Sequence, residues 1–170
     1  LHLKVNSDLF IFLSNFNLKI KNKKINKSKW LVKCNEWKIK YPIVKREYYN
    51  QKKFVNPYVF IHELSKILKN KDTIIADDGG HLTWAIQSFK VKKGQKLFSA
   101  FGNSPMGYAF PASIGASIFL KKGKVICIDG DGSIQINIQE FQTVAANKLP
   151  IKLILLNNNG YGIIKQFQEL

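Results

Sequence analysis

From Asn56 onward the chain is written in short apolar blocks separated by small polar clusters. "NPYVFIHELSKILKN" opens with Asn56, a helix-capping residue, and Pro57, whose fixed φ suits a first helical position. Its apolar stripe of Val59, Phe60, Leu64, Ile67 and Leu68 predicts a helix with one buried face. "DTIIADDGG" reads as a short buried strand ending in acids and glycines, and "HLTWAIQSFK" as a helix. "KLFSAFG" then reads as a strand, and "GYAFPASIGASIFL" as a helix covered on both sides. "KVICIDGDG" is a strand, "SIQINIQEFQTVAANK" an amphipathic helix, "PIKLILLNNNG" a strand, and "YGIIKQFQEL" the start of another helix.

Strand and helix therefore alternate through residues 73–170, and the strands are continuous apolar runs, as in strands buried on both faces. The expected fold is α/β, a parallel sheet with helices on both faces. Its polar clusters follow the strands: Asp77-Asp78-Gly79-Gly80, Gly102-Asn103-Ser104, Gly130-Asp131-Gly132-Ser133 and Asn157-Asn158-Asn159-Gly160. Open sheets of this kind bind ligands along that carboxyl edge. Trp84, Phe89 and Phe141 are expected in the core.

The first third lacks this regularity. Residues 1–18 combine a strand-like start with a helix, and residues 19–53 form a basic, polar linker with a helical island at "WLVKCNEW". The net charge is +16, concentrated early: residues 1–72 hold 17 Lys+Arg against 5 Asp+Glu, and residues 73–170 hold 10 against 6. The charge is almost all lysine, with Arg46 the single arginine. Base and phosphate readers favour the arginine fork, so nucleic-acid binding is not expected. Two cysteines, Cys34 and Cys127, are too few for a disulfide framework and fit a reducing cytoplasm. No apolar stretch is long enough to span a membrane. The chain opens on Leu1 and is expected to be a piece of a longer protein.

Gly130-Asp131-Gly132 by itself could be a hairpin corner. However, residues 133–156 make one helix and one strand, so Asp131 and Asn157-Asn158 end two parallel strands. In neighbouring strands those ends lie about 5 Å apart. A carboxylate and an amide oxygen at that separation can share a hard cation such as magnesium, which takes oxygen ligands and keeps places for phosphate and water. Glycines flanking the acid let a diphosphate approach the backbone, and Ser133 with the helix start after it offers donors. There is no Gly-x-x-x-x-Gly-Lys-Ser/Thr and no Gly-x-Gly-x-x-Gly opening a helix, which excludes the commonest nucleotide motifs.

Gly130-Asp131-Gly132, a gap of 24 residues, and then Asn157-Asn158 resembles the signature of thiamine diphosphate-dependent enzymes. "GDGSIQINIQEFQTVAANKLPIKLILLNNNGYGIIKQFQ" and "MGYAFPASIGASI" resemble the acetolactate synthase (acetohydroxyacid synthase) large-subunit group. The resemblance implies that residues 54–170 are the C-terminal, diphosphate-binding domain, that 1–18 end a central domain, and that 19–53 are the linker. It implies magnesium held by Asp131, the Asn158 side chain and the Gly160 carbonyl. It places diphosphate against Gly130, Gly132 and Ser133. Met106 would prop thiamine into a bent shape, and the Ser104 carbonyl would accept from the aminopyrimidine. Gly80 and His81 match a loop beside the diphosphate, although His81 also reads as a surface histidine at a helix start. Asp78 reads as turn chemistry. Tyr161 and Ile163 fall beside the cofactor; Ile163 and Gln166 either face substrate or pack within their helix.

The family's activating glutamate lies in an N-terminal domain, and Glu36, Glu47, Glu63, Glu140 and Glu169 match no such motif here. The expectation is a piece of a carboligase that decarboxylates pyruvate and joins the two-carbon unit to a second 2-keto acid, inactive alone and at least dimeric when complete. Two alternatives stay open: a synthase-like enzyme of surface-polysaccharide biosynthesis, and a non-catalytic cofactor-binding module. FAD is possible but not indicated.

Overall fold

The computed structural model describes residues 4–21, 23, 27–121 and 123–170. Residues 1–3 of the strand-like start and linker positions 22 and 24–26 lie outside the described residues. The chain divides into two compact units, Leu1–Pro42 and Ile43–Leu170. The first contains α1 (Leu9–Ile20) and α2 (Ser28–Lys40), the latter spanning the helical island. Asp8 caps α1 by accepting from the Phe10 and Ile11 N–H groups at 2.9 and 3.1 Å.

The second unit begins with a 3₁₀ turn at Arg46–Asn50 and continues with α3 (Pro57–Ile67), β1 (Thr73–Ala76), α4 (Gly80–Ser88), β2 (Lys96–Phe98) and α5 (Ala109–Leu120). It ends with β3 (Val125–Gly130), a 3₁₀ turn (Ile134–Asn137), α6 (Glu140–Ala146), β4 (Ile151–Leu156) and α7 (Gly162–Gln168). The four strands form one parallel sheet in the order β2-β1-β3-β4. Thr73 is registered with Val125, and Gly130 with Leu156.

The central strands β1 and β3 are buried along their whole length. Alternate residues face opposite ways. Ile74, Ala76, Ile126 and Ile128 meet α3 and α4 through Ile61, Leu64, Leu82, Ala85 and Phe89. Ile75, Val125 and Cys127 meet α5 through Ala109 and Phe110. Each fully buried isoleucine contributes about 1.5–3 kcal/mol relative to exposure. Burial pushes the Cys127 thiol up to about 12, so it serves as core rather than nucleophile.

Several expectations change in detail. In α3 the buried positions are Ile61, Leu64 and Ser65, while Ile67 is 76% exposed. The i, i+3, i+4 spacing from Ile61 sets that face and turns Ile67 outward. The helix α5 is covered on one side, leaving Ile118 and Phe119 exposed. The amphipathic helix predicted from Ser133 is a 3₁₀ turn and then the short α6. Alternating Ile134, Ile136 and Ile138, stiff at χ1, favour a helix weakly, and Asn137 turns its side chain to another backbone. The strand "KLFSAFG" narrows to three residues. Phe89 is buried, Trp84 packs against the core partly buried, and Phe141 is 43% exposed with its ring 4.6 Å from Phe110.

Candidate functional site

From β1 the chain runs through α4 to the outer strand β2, and from β3 through α6 to the other side, β4. Helix α4 covers one face of the sheet and α5 the other. The loops leaving β1 and β3 therefore diverge, opening a crevice at the carboxyl edge where ligands of such sheets bind. Ser133 spans it: its hydroxyl donates to the Asp78 carbonyl at 3.2 Å.

Asp131 follows β3 and meets the loop that follows β4. Its Oδ2 accepts the Gly160 N–H at 2.8 Å, and its Oδ1 accepts the Asn158 N–H at 3.4 Å. One end of the Asn158 amide lies 3.0 Å from Asp131 Oδ1 and 2.6 Å from the Gly160 carbonyl oxygen. With nitrogen at that end, the amide donates to both. With oxygen there, three oxygens converge, a set that only a cation would neutralise. The hydrogen-bond network by itself favours nitrogen at that end, whereas a hard divalent ion there would favour the oxygen. All three expected metal residues are thus brought together.

The glycines flanking Asp131 and at the start of α4 are close-fitting. A Cβ on Gly132 would overlap the Tyr161 ring, and one on Gly130 would lie 3.1 Å from His81 Cε1. Gly79, at φ +139°, leaves room for the same histidine, whose Cε1 would stand 2.7 Å from a Cβ there. Gly80 opens α4 with the Trp84 ring against it.

His81 is buried, contrary to a surface reading, and its Nε2 has no partner. Burial lowers its pKa, opposed by Asp77, Asp78 and Asp131. His81, Asp77 and Asp129 bring their ligand atoms within 4.8 Å of one another. Asp129 is fully buried, and its carboxyl is pushed up to about 7, first by burial and then by Asp77. A proton kept on Asp129 lessens the cost of burying it beside Asp77. With the ring neutral and its other nitrogen turned to the Asp77 backbone, the unpartnered, buried His81 Nε2 is an acceptor.

Ser104 and Met106 stand apart, on the loop after β2. Ser104 has φ +44°, and Met106 is half-buried. Their link to the rest is Gly107, whose N–H donates to Asp77 Oδ2 at 2.7 Å and whose carbonyl accepts from Asn137 Nδ2 at 2.5 Å. Ile163 lies on α7, 46% exposed, and Gln166 is exposed on the same helix. Asp77, Asp129 and Asn137 were not expected from the sequence. A fully buried acid at a strand end is the signal for the first two, but burial shows only once the strands are paired.

Residues 77–170 match the family model described as "Thiamine pyrophosphate enzyme, C-terminal TPP binding domain". The chain is 39% identical over 140 residues to the acetolactate synthase large subunit of Cyanidium caldarium, covering 82% of this chain and 23% of that protein. It is 31% identical over 170 residues to the chloroplastic acetolactate synthase 2 of Brassica napus, covering 99% of this chain and 26% of that protein. The acetolactate synthase large subunit of Buchnera aphidicola subsp. Schlechtendalia chinensis is 33% identical over 142 residues, 84% of this chain and 24% of that protein. The chain thus spans about a quarter of the length of these relatives.

Proposed function

The chain belongs to the thiamine pyrophosphate enzyme family through its C-terminal TPP-binding domain, and from that premise we propose that it is the cofactor-holding part of an acetolactate synthase-like carboligase. The observation that carries the reading is the meeting of Asp131, Asn158 and the Gly160 carbonyl across the ends of β3 and β4. These oxygens would hold magnesium, which in turn neutralises a diphosphate. Gly130 and Gly132 let that diphosphate reach the backbone, Ser133 contributes a hydroxyl, and His81, packed against Gly79 and Gly130, lies beside them. The loop after β2 presents Met106 and the Ser104 carbonyl to the thiamine rings.

When bound, thiamine diphosphate supplies an electron sink for the carbon freed by decarboxylating a 2-keto acid. The chain's own work is to bind, orient and shield. Backbone and side-chain donors fix the anionic end, and the β2–α5 loop fixes the heterocyclic end. Partial burial of Met106 keeps water from one side. Tyr161, 50% exposed over Gly132, and Ile163 lie where substrate would approach.

The activating glutamate of the family finds no counterpart among the five glutamates here, so the chain by itself is inactive, and the working enzyme is at least a dimer acting on 2-keto acids. The deciding experiment is an acetolactate assay of the complete natural gene product with pyruvate, thiamine diphosphate and magnesium. Acetolactate formation supports the synthase. Tight cofactor binding without acetolactate moves the reaction to another 2-keto acid. C2 proton exchange of thiamine diphosphate above background with the 170-residue chain alone would refute its inactivity.

A further inference from the structure

Three segments distant in sequence meet at one residue, Gly107. Asp77, fully buried at the end of β1, accepts the Gly107 N–H through Oδ2 and the Ala109 N–H through Oδ1, both at 2.7 Å. From the opposite side Asn137 Nδ2 donates to the Gly107 carbonyl at 2.5 Å. Gly107 has φ +82°, and a Cβ there would stand 2.7 Å from Asn137 Nδ2 and 2.9 Å from Ile136 Cβ. The close approach of Asn137 therefore requires glycine.

The anchors belong to the elements that carry the phosphate side of the site. Asp77 immediately precedes Asp78, whose carbonyl accepts from Ser133. Asn137 ends the 3₁₀ turn that begins at Ile134, directly after Ser133. The anchored residue immediately follows Met106, on a loop whose Phe101 is 56% exposed. Such a loop has little packing of its own to fix it, so its position depends on these bonds.

We propose that Asp77 and Asn137 are positioning residues that set the Ser104–Met106 segment in register with the Asp131 side of the site. The proposal rests on the thiamine diphosphate reading above. It makes recognition of the heterocyclic half of the cofactor depend on the clasp, while the metal–diphosphate half binds without it.

The test uses the full-length gene product and two probes, thiamine diphosphate and inorganic diphosphate, each titrated calorimetrically with magnesium. Asp77→Asn sets an amide nitrogen against two N–H donors in the core and can block folding. Asn137 is half-buried on a short turn, so Asn137→Ala is the informative variant. It should weaken thiamine diphosphate about tenfold, the size expected for one hydrogen bond at a positioned loop. Inorganic diphosphate should bind unchanged. Amide exchange should quicken over residues 102–108 and stay unchanged over 125–133. Equal weakening of both probes, or no change in either probe, overturns the proposal. An unmodified protein that binds inorganic diphosphate but not thiamine diphosphate overturns the cofactor reading, and the clasp's role falls with it.

Discussion

Gly160 donates its backbone N–H to Asp131 Oδ2 at 2.8 Å, so one carboxylate ties the end of β3 to the loop that follows β4. The same carboxylate is the charged member of the three groups proposed to hold magnesium. Asp131→Ala in the full-length protein should therefore weaken magnesium-dependent thiamine diphosphate binding by about a hundredfold, the scale of a charged contact. Calorimetric titration with and without magnesium checks it, and unchanged affinity would place the metal elsewhere.

Asp129 makes stability depend on pH. Its carboxyl is raised from 3.8 to about 7 in the folded chain. Between those values the native state keeps a proton that the unfolded chain releases. Stability from this group is full below the lower value and is lost as pH rises through the upper one. His81, lowered by burial, acts oppositely: its contribution is lost as pH falls below its unfolded value. Urea unfolding of the wild type and Asp129→Asn separates the two, because His81 is common to both. The variant should lack a loss on the order of 2–3 kcal/mol between about pH 5 and about pH 7. Parallel profiles would show that Asp129 is ionised in the fold.

Gly132 and Tyr161 should be coupled. A Cβ on Gly132 overlaps the Tyr161 ring, which is half exposed and can swing away. Gly132→Ala should cost about 1 kcal/mol in the wild type and under about 0.5 kcal/mol in a Tyr161→Ala background. Equal costs in the two backgrounds would show that the ring does not sense the methyl group.

Gly107→Ala meets both a left-handed φ of +82° and the crowding of Asn137 and Ile136. We expect a loss of about 2–3 kcal/mol in thermal or urea unfolding. Gly115, with open space at its Cβ and a place inside α5, is the control. Gly115→Ala should be neutral or stabilising by up to about 1 kcal/mol.

The sheet was legible in the sequence because its central strands are buried on both faces and so read as unbroken apolar runs. Asp131 and Asn158 can be placed at the ends of neighbouring strands because the spacing between them equals one helix plus one strand, whereas Gly160 enters only through the family resemblance. Contacts made across the sheet leave no such trace in the sequence. Asp77 is only one member of a polar cluster in the sequence, yet it is fully buried and holds two N–H groups of α5's approach. His81 looked equally suited to solvent, since the glycines that admit its ring, Gly79 and Gly130, come from two different strand ends. The helix predicted from Ser133 failed for the same reason. Its break is tied to Asn137 bonding to Gly107, a partner that local periodicity does not contain.

The pairing of Thr73 with Val125 also bears on how the domain forms. A parallel pair cannot close through a tight turn, and between these partners lie α4, β2 and α5. The central ladder must wait until the chain beyond Val125 is available, so loop-closure entropy is met before the main core is gained. Folding should thus be slow for a domain of this size. During synthesis, one hydrogen-bonding edge of β1 will stay unpaired until β3 has left the ribosome.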